Sequence, residues 1–162
     1  MKDKNIVIIG MPGVGKTSVA EAVAQKLGRK CIDIDTEIVK AHGAIPKIFE
    51  REGEAAFRAY EKEMVIKAAK ESAVVIATGG GSLLDPENTE ALKSTGTLYW
   101  ITRPLESLAT DGRPLSKGGI ETLKKLFNER KEIYAAAADA VVENKTVDST
   151  AEEILRRNVT KE

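Results

Sequence analysis

Short apolar runs alternate with stretches of helical spacing along the chain. Ile6–Ile9, Cys31–Ile34, Val74–Ala77, Thr97–Ile101 and Ala140–Val142 are candidate strands. Consecutive apolar positions bounded by turn residues are the pattern of strands buried on both faces. Ser18–Leu27 has a different period, which brings Val19, Val23 and Leu27 to one helix face. Similar spacing predicts helices over Thr36–His42, Ile45–Arg51, Glu54–Glu71, Pro86–Ser94, Ile120–Ala137 and Thr150–Asn158. Strand–helix alternation predicts an α/β fold: a central five-stranded parallel sheet flanked by helices in a three-layer sandwich. No repeat, low-complexity block or linker interrupts the pattern, so a single domain over residues 1–162 is expected.

Ligands of open α/β sheets gather beyond the C-terminal strand ends. The residues there are rich in chemistry. Gly10-Met11-Pro12-Gly13-Val14-Gly15-Lys16-Thr17 follows the first strand and fits G-x-x-x-x-G-K-[ST], the phosphate-binding loop. Glycines let backbone N–H groups turn inward around phosphate oxygens, and the following helix points its positive end at the same anion. Gly13, Val14, Gly15, Lys16, Thr17 and Ser18 are the expected nucleotide contacts. Lys16 is expected to reach the β- and γ-phosphates, and Thr17 to ligate Mg²⁺. The motif makes the fold the P-loop NTPase type. It does not identify what receives the phosphate.

Asp33 and Asp35 are spaced i, i+2 at the end of the second strand, which predicts two carboxylates on one face. One could hold Mg²⁺ through its water shell and the other take a proton from an attacking hydroxyl. Asp35 also suits a helix cap. Gly79-Gly80-Gly81 after the third strand is longer than a turn needs, and predicts close approach of a ligand to the backbone. Arg113 lies in Asp111-Gly112-Arg113-Pro114-Leu115, a segment punctuated like a lid. By composition alone, Arg58 reads as an exposed helix arginine able to pair with Glu54 or Glu61, and Arg130 as part of a solvated charged face.

Composition narrows the partners. Hydrophobic residues make up 42% and charged residues 31% of the 162 positions, as in a globular protein. Lys+Arg and Asp+Glu are both 25, so there is no global attraction to nucleic acid or an anionic membrane. The lone cysteine, Cys31, excludes an intrachain disulfide and reads as a small buried hydrophobe. The lone histidine, His42, sits at a helix end beside Gly43 and is assigned no chemistry. No apolar run is long enough to span a membrane, and Ile6–Ile9 is too short for a signal-peptide core. A cytoplasmic location is expected.

Together these motifs resemble the shikimate kinase family from residue 5 to about 157. The matching elements run in the family's order: the phosphate loop, Asp33-Ile34-Asp35, Ile48-Phe49-Glu50 with Gly53-Glu54, Phe57-Arg58 with Glu61, Gly79-Gly80-Gly81, Arg113-Pro114-Leu115, and Arg130 with Tyr134 and Ala138-Asp139. The resemblance implies an Mg²⁺-dependent kinase that transfers the γ-phosphoryl group of ATP to the 3-hydroxyl of shikimate, giving shikimate 3-phosphate and ADP; a monomer is expected. It implies Lys16, Asp35 and Arg113 as catalytic residues. Asp35, Arg58, Gly79, Gly80, Gly81 and Arg130 would bind shikimate, Thr17 would bind the metal directly, and Asp33 would bind it through water. It also implies a shikimate-binding subregion at about residues 33–61 and a lid at about 109–119. It reverses the bland readings of Arg58 and Arg130, which become a clamp for the substrate carboxylate.

One stretch departs from the family. Many members carry a further arginine before the lid's Arg-Pro-Leu, packed on adenine. Leu105-Glu106-Ser107-Leu108-Ala109-Thr110-Asp111-Gly112 has none, and Arg103 lies close to the strand end. Apolar and backbone contacts are therefore expected to hold adenine. Alternative readings are a kinase of another small hydroxy acid such as gluconate, a nucleotide-binding module without catalysis, and a GTPase switch. For the last, Asn144-Lys145-Thr146-Val147-Asp148 approaches the guanine-reading Asn-Lys-x-Asp with its aspartate one residue late.

Overall fold

The computed structural model describes residues 4–109 and 119–161. Arg113 and residues 110–118 of the expected lid lie outside them.

Strands β1 (Asn5–Ile9), β2 (Cys31–Asp33), β3 (Val75–Ala77), β4 (Gly96–Thr102) and β5 (Ala140–Glu143) form one sheet in the order β2-β3-β1-β4-β5. Every pairing is parallel, with Ile8 opposite Ala77 on one side and Tyr99 on the other. Parallel neighbours need crossover connections, which is why helices alternate with strands in the sequence. Ile6, Val7, Ile8 and Ile9 of the central strand are each 0% exposed, so helices cover both faces. That explains the unbroken apolar run: neither face of β1 meets water. Burying each such side chain contributes about 2 kcal/mol.

Around the sheet lie α1 (Lys16–Leu27), α2 (Ile34–His42), α3 (Ile45–Glu52), α4 (Glu54–Ala69), α5 (Pro86–Thr95), α6 (Leu105–Ala109), α7 (Gly119–Ala137) and α8 (Val147–Lys161). The pairs α1–α8 and α4–α5 pack closely, and a 3₁₀ turn, Ser82–Leu84, leads into α5. No helix among the described residues is long and apolar enough to cross a membrane.

Most departures from the predicted elements lie at their ends. β2 stops at Asp33, and Ile34 already belongs to α2. Asp33 Oδ1 accepts the Thr36 N–H at 3.0 Å, so the capping residue is Asp33 rather than Asp35. Aspartate satisfies an orphan N–H at a helix start, and this local bond ends the strand early. Similarly, the Thr146 hydroxyl accepts the Ser149 N–H at 3.0 Å and starts α8 before the predicted Thr150. Helix α6 is too short to show a period and was not predicted. His42 ends α2 with its ring stacked 3.6 Å from that of Tyr60. Cys31 is half-buried against the core.

Candidate active site

The phosphate loop joins β1 to α1. Gly10, Gly13 and Gly15 all adopt positive φ, which other residues reach only with strain. Gly10 also has no room for a side chain: a Cβ there would lie 2.6 Å from the Ile101 carbonyl oxygen. Lys16 is buried, and its ammonium donates to the carbonyls of Gly10 at 2.8 Å and Met11 at 2.9 Å. Asn144, after β5, braces the loop from outside. Its Nδ2 donates to the Val14 carbonyl at 2.8 Å, and its Oδ1 accepts the Thr150 hydroxyl at 2.8 Å. A Cβ on Gly15 would meet this amide nitrogen at 2.6 Å. The asparagine of the near-match motif is thus spent on the phosphate-loop backbone, and no sequence signal marked it for that work. Arg103, just past the end of β4, reaches within 3.4 Å of the Gly13 carbonyl.

The Thr17 hydroxyl donates to Asp33 Oδ2 at 2.5 Å. A hydroxyl and a carboxylate side by side are hard oxygen donors of the kind Mg²⁺ takes. No group of three or more His, Cys, Asp or Glu side chains able to hold a metal occurs among the described residues. A cation here therefore needs phosphate oxygens and water to complete its shell, the usual way Mg²⁺ is held with a nucleotide. Asp35 sits in the first turn of α2. Burial pushes its carboxyl above the ordinary value, the Asp33 charge adds to this, and Lys16 opposes it. Lys16, Thr17, Asp33, Asp35, Thr78 and Gly80 line one cavity of about 240 Å³.

The glycine run after β3 is where the acceptor side converges. None of Gly79, Gly80 and Gly81 has positive φ, so conformational freedom does not explain them. Close packing does. A Cβ on Gly79 would lie 2.8 Å from Asp35 Oδ1. On Gly80 it would lie 2.6 Å from Pro12 Cγ and 3.2 Å from Arg130 Nη1. On Gly81 it would lie 2.5 Å from Arg58 Nη1. The predicted close approach is thus made by the protein's own side chains.

Beneath them lies Glu61, only 2% exposed. It accepts Arg58 Nη1 at 2.9 Å and the Ser82 hydroxyl at 3.0 Å, and Ser82 Oγ in turn accepts the Gly79 N–H at 2.9 Å. Arg58 also pairs with Glu54 at 3.4 Å and lies over the Phe57 ring. The sequence offered Glu61 as a helix-surface partner for Arg58, whereas the fold buries it as the anchor of both the arginine and the glycine turn. Tyr134 on α7 places its hydroxyl 2.7 Å from the Gly80 carbonyl oxygen. The fold therefore brings Lys16, Thr17, Asp33, Asp35, Arg58, Gly79–Gly81 and Arg130 to one end of the sheet. Sequence reasoning missed Asn144 and Ser82, and gave Tyr134 no role.

The chain is similar to known proteins over nearly its whole length. Residues 12–160 match the family model for shikimate kinase. A shikimate kinase of Persephonella marina is 39% identical over 161 residues, covering 95% of this chain and 98% of its own length. Among solved structures, shikimate kinase from Acinetobacter baumannii in complex with shikimate superposes with a TM-score of 0.92 at 33% identity, covering 98% of this chain and 94% of that one. The Aquifex aeolicus enzyme gives a TM-score of 0.83 at 36% identity over 93% of this chain and 94% of its own.

Proposed function

The chain belongs to the shikimate kinase family, and from that premise we propose that it moves the γ-phosphoryl group of ATP to the 3-hydroxyl of shikimate, acting as a cytoplasmic monomer. The observation that carries the reading is the placement of Asp35. Its carboxylate lies in one cavity with Lys16 and Thr17 of the phosphate loop and against the Gly79 backbone of the acceptor side. A nucleotide phosphate and a small hydroxylated acid held by these groups meet at that carboxylate.

The phosphate loop, from Gly13 through Ser18, holds the nucleotide, with Lys16 on the β- and γ-phosphates. Arg58 and Arg130 clamp the shikimate carboxylate, each able to present paired N–H donors. The glycine run lets Asp35, Arg58 and Arg130 seat closely against the backbone at the substrate. Asp35 accepts the proton of the attacking hydroxyl, and its raised proton affinity suits it to that task. The hydroxyl oxygen bonds to phosphorus, the bond from phosphorus to the bridging oxygen breaks, and that oxygen leaves with ADP. Lys16 and Arg113 spread the charge on the transferring group, Arg113 from the lid. Thr17 would hold Mg²⁺ directly and Asp33 through water, and bound there the cation neutralises phosphate charge.

A coupled ADP-release assay with Mg-ATP tests the reading, with shikimate turned over and gluconate as the control acceptor. Folded protein that is inert with shikimate, or that prefers gluconate, overturns it.

A further inference from the structure

Tyr134 is 2% exposed, and its ring packs against Trp100 with centroids 5.6 Å apart. Its hydroxyl lies 2.7 Å from the Gly80 carbonyl oxygen and 3.2 Å from the Gly10 carbonyl oxygen. One phenolic oxygen thus stands between the first residue of the phosphate loop and the middle of the acceptor turn. A phenol carries one proton, so it donates to one carbonyl at a time. The shorter contact gives that proton to Gly80, while the Lys16 ammonium, 2.8 Å away, supplies Gly10. Arg130 lies one turn earlier on the same helix. Burial raises the Tyr134 pKa, and Arg130 opposes the rise.

We propose that Tyr134 is a positioning residue whose hydroxyl sets the spacing of the phosphate loop and the acceptor turn, and passes nucleotide occupancy from one to the other. The inference rests on the phosphate-binding reading of the loop. Phosphate oxygens compete with the Gly10 carbonyl for the Lys16 ammonium. When Lys16 turns to phosphate, the buried Gly10 carbonyl loses a charged donor, and the Tyr134 proton is within reach to replace it. Turning that proton to Gly10 releases the Gly80 carbonyl and alters the turn that packs on Asp35, Arg58 and Arg130. Nucleotide binding thereby reshapes the acceptor site through a single hydrogen bond.

Tyr134→Phe keeps the ring and removes only the hydroxyl. With Mg-ADP as the probe, amide hydrogen exchange over residues 79–84 should change in the wild type and stay unchanged in Y134F. kcat should fall about tenfold in Y134F while the KM for each substrate moves less than about threefold, as misplacement of reacting groups predicts. Trp100→Phe alters the packing of the ring but keeps the hydroxyl, and should retain the Mg-ADP response. A lowered melting temperature in Y134F with an intact Mg-ADP response and full kcat would reduce Tyr134 to packing and overturn the proposal. So would loss of the response in W100F, or a wild type that gives none; the last two apply even if Y134F does not fold. A wild type inert toward shikimate but responsive to Mg-ADP faults the acceptor assignment and leaves this proposal standing.

Discussion

Gly80 and Gly81 adjoin in sequence, yet their missing side chains serve different partners. The methyl group of Gly81→Ala would meet the guanidinium of Arg58, the end of a flexible side chain that can swing aside. That of Gly80→Ala would meet the Pro12 ring, which cannot yield without shifting the phosphate loop. Gly81→Ala should raise the KM for shikimate about tenfold, the loss of one charge-assisted contact, and leave the KM for ATP unchanged. Gly80→Ala should weaken both substrates. Steady-state kinetics on the two variants checks the pair, and equal effects in both would contradict it. Cys31 gives a pH prediction at the same scale. Burial first, then Glu21 and Asp33, push its thiol from 9.0 to about 11. The thiolate is the reactive form, so iodoacetamide should label the folded protein slowly near neutrality, with a rate that climbs only as pH approaches about 11. The unfolded chain releases this proton earlier. The stability associated with the neutral thiol is therefore present below 9.0 and lost as pH rises through about 11.

At the scale of elements, the apolar runs located every strand because burial on both faces leaves a plain mark. Helix starts were less legible, since a single side-chain bond decides them. The bonds from Asp33 to Thr36 N and from Thr146 to Ser149 N each moved a boundary. The glycine run was visible as an anomaly, but what pressed on it was not. Pro12, Arg58 and Arg130 come from three other elements, and only the folded sheet brings them together. Glu61 was hidden for the same reason, because helical spacing paired it with Arg58 but could not tell that α4 turns it inward. Asn144 gives this scale its own prediction. Asn144→Ala removes a donor from the Val14 carbonyl and an acceptor from Thr150. It should cost about 1–2 kcal/mol of stability and weaken Mg-ADP binding while shikimate binding persists. Calorimetric titration with each ligand separates the two, and an unchanged Mg-ADP affinity would refute the bracing role.

At the scale of the whole molecule, each substrate should stabilise the fold by mass action. A ligand at a hundred times its dissociation constant contributes about 2.7 kcal/mol. In a domain of this size that raises the melting temperature by roughly 5–10 °C. Thermal scans with shikimate and with Mg-ADP check it, and no shift with either would contradict a preformed site. The strand order has a separate consequence. Central β1 divides the working edge of the sheet: β2 and β3 deliver Asp35 and the glycine run on one side, while β4 and β5 deliver Arg103 and Asn144 on the other. In the proposed reaction most acceptor groups come from the β2–β3 half, but Asp33 there serves the metal, and Arg130, on α7 after β4, serves the acceptor. An engineer seeking a new acceptor would redraw Arg58 and the glycine run, keep Asp33, and change Arg130 from the other half. Tyr134, whose hydroxyl lies within reach of carbonyls on both sides of that divide, would have to be kept as well.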